Sequence, residues 1–145
     1  MRLPPEEARR RFARAPVARL ATITPDGRPH LVPMAFAMDG DTIYSIVDAK
    51  PKEAVALARL RNIEANPLVS LLADEYANDW EGLWWVRADG HARVATEGAD
   101  REHAIRLLRA KYPQYTDPSL PFGAATVVAV DRWIGWAAGR IFAVS

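Results

Sequence analysis

With 145 residues, of which 50% are hydrophobic and 26% charged, the chain has the size and balance of a single folded domain, and a disordered or fibrous protein is excluded. A formal net charge of +1 excludes a general attraction to nucleic acid or anionic lipid, so any anion must be held by a local cluster of cations. The absence of cysteine excludes a disulfide framework, a thiolate nucleophile, an iron–sulfur cluster and cysteine-ligated zinc, and fits a reducing compartment.

The opening residues hold no apolar run of signal-peptide length, and no later segment approaches the roughly 18 apolar residues of a membrane span, so a soluble, cytoplasmic protein is expected. PPEEARRRFARA places prolines where a helix begins, acids in the first turn and cations later, which predicts a short helix over 5–14. VARLATIT alternates, with Arg19, Ala21 and Ile23 on one face and Ala18, Leu20 and Thr22 on the other, and Pro25-Asp26-Gly27 turns the chain. HLVPMAFAM is expected as one strand, with Val32, Met34, Phe36 and Met38 filling a core while Leu31, Pro33, Ala35 and Ala37 leave room on the other face. Pro33 is the odd residue. A proline cannot donate to a ladder, so one side of that position must face something other than a central strand partner. After a turn at 39–41, TIYSIVD predicts a third strand, and the whole stretch reads as an antiparallel meander.

KPKEAVALARLRNIEANP predicts a helix of about four turns, with an apolar stripe through Ala56, Leu57, Leu60 and Ile63 and a stop at Pro67. LVSLLAD is expected as a mostly buried strand. WEGLWWVRADGHARVAT is one long strand or two joined at Asp89-Gly90; the local rule favours a turn, and a glycine inside a bent barrel strand is the competitor. ADREHAIRLLRAKY predicts an amphipathic helix capped by Asp100 and ended before Pro113. A loop then leads to a closing strand in AATVVAVDRWIGWAA, with room for one more in GRIFAVS. Many antiparallel strands with intervening helices predict a mainly β fold, a closed or nearly closed β-barrel with helices over its openings.

No dinucleotide, P-loop, nucleophile-elbow or zinc-protease motif is present, and the histidines stand alone at 30, 91 and 103, so a metal site is not expected. His103 is expected on the surface and His91 as a strand residue without a role, which leaves His30. The sharper signal is the cation set Lys50, Lys52, Arg59 and Arg61. At about 100° per residue Lys52 and Arg59 share a helix face while Arg59 and Arg61 diverge, so all four cannot grip one anion. Lys50 and Lys52 beside a helix N-terminus make the better phosphate cradle, because free N–H groups and the dipole add to their charge. A solvated cationic face with Glu53 and Glu64 as partners is the alternative. Of five tryptophans, Trp84 and Trp85 are adjacent in a strand and must face opposite ways, so one fills the core while the other meets a partner chain or a ligand.

Taken in order, ARLATITPDGRPHLVPMAF, DGDTIYSIVDAKPK, LARLRNIEANPLVSLL, DWEGLWWVRADGHARV and VAVDRWIGWAA resemble the pyridoxamine 5′-phosphate oxidase-like split-barrel flavoproteins over residues 10–138. They are more closely similar to the branch that uses the deazaflavin coenzyme F420. The resemblance implies an FMN-binding-like split β-barrel homodimer with two cofactor sites at the subunit interface. It implies that His30, Leu31, Val32, Pro33 and Met34 run along the cofactor ring and tail, often through backbone groups. The third-strand end, with Ser45, would flank the tail, and the basic residues beyond would hold the phosphate, Lys52 first, then Lys50 and Arg59. Many superfamily members have a shorter link before the Asn66-Pro67 pair, which shifts the phosphate toward Arg59 and Arg61. Trp136 is implied near the ring, from the partner chain.

The activity so implied is hydride transfer between F420 and a small unsaturated or carbonyl-conjugated acceptor, with the protein supplying binding, orientation and exclusion of water. No catalytic side chain follows from it; His30 or solvent is the proton source to consider. One rival keeps the fold and binds FMN at the same site, as an oxidase or reductase. A second is a non-catalytic barrel carrying flavin or haem, with His30 or His91 as haem ligand. A nucleic-acid-binding barrel is disfavoured by the near-zero net charge, and pyridoxamine phosphate oxidation by the lack of a further basic cluster.

Overall fold

In this computed structural model, which describes residues 1–48 and 54–139, helix α1 (Pro5–Arg14) carries Glu6 and Glu7 in its first turn and Arg11 and Arg14 in its last, the order that complements the helix dipole. Strands β1 (Ala18–Ile23) and β2 (Pro29–Met34) follow as an antiparallel pair. Their turn depends on Gly27, which takes φ +87°, a conformation that suits glycine. The chain continues through β3 (Ala37–Asp39), β4 (Thr42–Asp48), α2 (Ala54–Ala65), β5 (Leu68–Glu75), β6 (Trp84–Ala95), α3 (Ala99–Lys111) and β7 (Phe122–Ala137).

The single strand expected over 30–38 is broken. β2 pairs with β1, whereas β3 pairs with β4, and Ala35 and Phe36 lie between them. The cause is remote in sequence: the Tyr112 hydroxyl accepts from the Phe36 N–H at 3.2 Å and shares its proton between the carbonyls of Phe36 (3.0 Å) and Pro16 (2.8 Å). Phe36 therefore satisfies its backbone outside any ladder. The meander gives way to a seven-stranded antiparallel sheet of order β2-β1-β5-β6-β7-β4-β3, with the two halves of the expected strand at opposite edges. Laid flat, such a sheet would part its edges by about 29 Å, six steps of about 4.8 Å. Met34 and Ala37 are three Cα–Cα steps of about 3.8 Å apart, about 11 Å at most. The sheet must curl until its edges nearly meet, which makes it a split barrel.

The choice left open at Asp89-Gly90 is decided, and two further expectations are corrected. β6 is one continuous strand, because Asp89-Gly90 is a bulge where the register with β7 shifts; a Cβ on Gly90 would sit 2.3 Å from the Ala129 carbonyl oxygen. β5 alternates, with Val69, Leu71 and Ala73 buried and Leu68 and Leu72 exposed, since only its inner face meets the core. Asp100 lies in the first turn of α3, where it pairs with Arg93, and Gly98 takes the cap position. The side chains of Ala56 and Leu57 and the tail beyond Gly139 lie outside the described residues.

Inside the barrel, Leu20, Ile43, Leu71, Val86 and Val128 are fully buried, and each such side chain contributes roughly 1.5–3 kcal/mol. α1 closes one end with Phe12, whose ring meets Phe36 at 4.9 Å and Trp133 at 5.3 Å. α2 reaches β1 through Asn62, which donates to Thr22 Oγ1 at 3.1 Å. α3 lies outside β3 and β4, with Ile105 and Leu108 packed against Ala37 and Ile46.

Candidate functional site

Beyond the reach of α3, the outer face of the sheet keeps large apolar side chains in solvent: Leu31 is 67% exposed, Leu68 51%, Trp136 38% and Leu72 37%. The strand registers arrange this face in rows. One runs Pro33, Arg19, Leu72, Arg87, Ile134; the next runs Leu31, Ala21, Ser70, Asp89, Arg132; and Trp85 stands beside Trp136. Trp84 turns the other way, onto the edge of the core, so the adjacent tryptophans face opposite ways, as expected.

At the centre of the face, Asp89 accepts from Ser70 Oγ at 2.7 Å, from Arg87 Nε at 2.9 Å and Nη2 at 3.2 Å, and from Arg132 Nε at 2.7 Å. Burial works against its charge, but the hydrogen bonds from Ser70, Arg132 and Arg87 outweigh it and hold the carboxyl below the ordinary carboxylate value. Sequence reading missed this group. Arg87 and Asp89, two apart on one strand face, were a visible signal; Arg132 enters only through the β6–β7 pairing.

The strand singled out by Pro33 is an edge. Pro29, Leu31 and Pro33 are alternate residues, so their backbone groups point to one side of β2, and two prolines fit there without loss only where that side is the free edge. The Leu31 N–H and C=O thus face away from the β1 ladder. Leu31 and Pro33 project outward, whereas Val32 and Met34 are in the core. His30 stands opposite Thr22, and its buried Nδ1 has no hydrogen-bond partner among the described residues.

Arg59 is half-buried and three residues before Asn62 on α2, hence on the same helix face. Arg61 is exposed, and Lys50 and Lys52 lie outside the described residues. Ser45 is fully buried and hydrogen-bonded to the Thr126 hydroxyl within the barrel. Trp136 is on the outer face but four strands from β2, about 19 Å across the sheet. The structure thus brings His30, Leu31 and Pro33 together on one edge strand, and leaves Ser45 and Trp136 apart from them. His91 pairs with Asp131 at 2.6 Å. His103, expected on the surface, is half-buried instead, edge-on to Tyr44 at 5.2 Å and hydrogen-bonded to Asp39 at 2.8 Å, because α3 lays it against β3 and β4.

Among the described residues no group of three or more His, Asp or Glu could hold a metal ion, and no helix is long and apolar enough to cross a membrane.

These features define a mainly β split barrel whose sheet presents, among the described residues, a partly apolar outer face beyond the reach of α3. The sequence matches the pyridoxamine 5′-phosphate oxidase family over residues 4–137, and the chain belongs to that family. No curated protein matches it. Among solved structures it is similar to a conserved hypothetical protein from Mycobacterium tuberculosis, with a TM-score of 0.73 and 19% identity over 99% of this chain and 93% of that one. An FAD-binding protein from Mesorhizobium loti has a TM-score of 0.71 and 23% identity over 93% and 95%. A haem-binding protein from Mycobacterium smegmatis has a TM-score of 0.73 and 23% identity over 94% of this chain and 55% of that one. The split barrel implied by the sequence is borne out.

Proposed function

We propose that this protein is a cytoplasmic homodimeric oxidoreductase that transfers a hydride between coenzyme F420 and a small unsaturated or carbonyl-conjugated acceptor. The observation that carries this reading is β2, an edge strand whose prolines turn the Leu31 backbone outward beside the exposed Leu31 and Pro33 side chains, in a chain of this family. The residues fit such a cofactor. A flat ring can lie along that edge with backbone N–H and C=O at its polar rim, and the unpartnered Nδ1 of His30 offers one more polar atom. Arg59 supplies a cation for the phosphate, joined in this reading by Lys50, Lys52 and Arg61. Val32 and Met34, with side chains in the core and backbone groups turned to β1, support the edge from beneath, and Ser45 is assigned to the cofactor tail in this reading. Trp136 reaches the ring of the other subunit's site.

When bound, the deazaflavin supplies the hydride chemistry. In this reading the chain's own residues hold the ring and phosphate, Leu31 and Pro33 keep water from the ring edge, and His30 or solvent gives or takes a proton. No nucleophile is required. FMN competes for the same site, a reading favoured by the likeness to an FAD-binding protein. A non-catalytic flavin or haem carrier is favoured by the likeness to a haem-binding protein and by His30; His91 is less suited, since Asp131 engages it.

Equilibrium titration with F420, FMN and haemin tests the assignment, using the wild type, Arg59→Ala and Lys52→Ala. F420 should saturate in the micromolar range, and Arg59→Ala should weaken it about tenfold or more, the worth of charge-assisted hydrogen bonds. FMN or haemin binding without F420 would change the cofactor, and no binding of any of them would end the redox reading.

A further inference from the structure

We infer that Arg87 and Arg132 form a subsite for the carboxylate of a flat, conjugated ligand on the outer face. The identity of that ligand as the acceptor rests on the function proposed above; carboxylate binding itself does not.

The subsite is built around the bulge. Asp89 pairs with Arg132 and Gly90 with Val130, so Asp131 is the extra residue. Gly90 lies too close to the Ala129 carbonyl to carry a side chain. Such bulges re-aim side chains next to functional sites, and this one directs Arg132 into an open cleft of about 640 Å³ that Arg87, Ser70 and Leu68 also line. That volume suits a small ligand.

Asp89, with its side chain 18% exposed, acts as an anchor for both arginines, whose side chains are 39% (Arg87) and 67% (Arg132) exposed. Arg87 uses Nε and Nη2 on Asp89, and Arg132 uses Nε. Among the described residues, Nη1 of Arg87 and both Nη atoms of Arg132 make no hydrogen bond. Asp131 also lines the cleft but is turned onto His91 at 2.6 Å, so the free Nη groups of the two arginines are the donors left for a ligand.

Guanidinium forks match a carboxylate in two-point geometry, and fixing them beforehand reduces the entropy lost on binding. Leu68 lines the same cleft as the two arginines, so a ring attached to the carboxylate meets an apolar side chain there. An ordinary surface ion pair is weak and needs neither a bulge nor a shared anchor.

Calorimetric titration of the full chain, without cofactor, with benzoate and its neutral isostere benzamide tests this. Benzoate should bind saturably, with benzamide about tenfold weaker or more. Arg87→Gln and Arg132→Gln should each weaken benzoate by about tenfold or more, and Arg132→Lys should restore part of the loss. Arg132, being exposed, keeps the test valid if the Arg87 variant fails to fold. Equal affinity for the two probes, unchanged affinity in Arg132→Gln, or a changed sedimentation coefficient in Arg132→Gln would overturn the inference, the last by making the cluster a contact between copies. Benzoate binding with failed cofactor titrations leaves the subsite standing and removes the redox reading; the reverse removes the subsite alone.

Discussion

On one side of the barrel, α3 lays Ala104, Ile105 and Leu108 against the outside of the sheet, and Ile43 to Val47 of β4 are buried on both strand faces. On the other, Leu31, Leu68, Leu72 and Trp136 stay exposed around an anchored Arg87–Asp89–Arg132 cluster. Both belong to one curled sheet, so strand chemistry alone does not separate them. The difference lies in what each is finished against. β4 is buried without a break from Ile43 to Val47 because it is covered twice; β5 and β6 alternate because only their inner side meets the core. Single exposed leucines are ordinary; here four large apolar side chains share one outer face, on β2, β5 and β7, with Arg19, Arg87 and Asp89 set between them.

The contrast breaks first at Leu108. Leu108→Ala removes a fully buried side chain and should cost about 2–5 kcal/mol in urea unfolding. Gly90→Ala forces a Cβ against the Ala129 carbonyl and should cost about 1–3 kcal/mol, moving Arg132 with the bulge. Asp89→Asn should cost about 1–2 kcal/mol at pH 7. Because the folded Asp89 pKa is lowered, its stabilisation is present above the ordinary value and lost as pH falls through the folded one, so acid unfolding should begin at higher pH in the wild type than a fit without this group predicts, and Asp89→Asn should lack that part of the acid slope.

Lys111 sharpens the covered side. Its Nζ donates to the Ala15 carbonyl at 2.8 Å and lies 3.7 Å from the Phe36 ring centroid, and burial pulls its pKa down to about 8. The unfolded chain then holds more protons between about pH 8 and 10.5, so stability rises with pH through that window and the penalty is fully present below it. Melting temperatures from pH 7.5 to 9.5 should show this rise in the wild type and a flatter profile in Lys111→Met. The smallest effect is expected on the open side: Leu31→Ala should change stability by no more than about 0.5 kcal/mol while weakening ligand binding. A cost like that of Leu108→Ala would erase the distinction between the faces.

Local chemistry made much of this legible. The helix over 5–14, the turn at Gly27 and the sorting of Leu31 and Pro33 from Val32 and Met34 follow from proline, glycine and period-two spacing. What escaped depends on distant partners. The break at Ala35-Phe36 is set by Tyr112, 76 residues away, and Asp89-Gly90 reads as a turn until β7 is placed beside it. The site divides likewise. His30, Leu31 and Pro33 could be picked from one strand, whereas the Arg87–Asp89–Arg132 cluster spans 43 residues between Asp89 and Arg132 and forms only when β6 and β7 pair.

Hydrogen exchange at the Leu31 amide, with and without F420, tests the central claim most directly. The free-edge amide should exchange rapidly alone and slow markedly when F420 is added, while the β4 amides beneath α3 stay unchanged. An unaltered Leu31 amide, or protection confined to the α3 side, would contradict the assignment of the open face as the cofactor site.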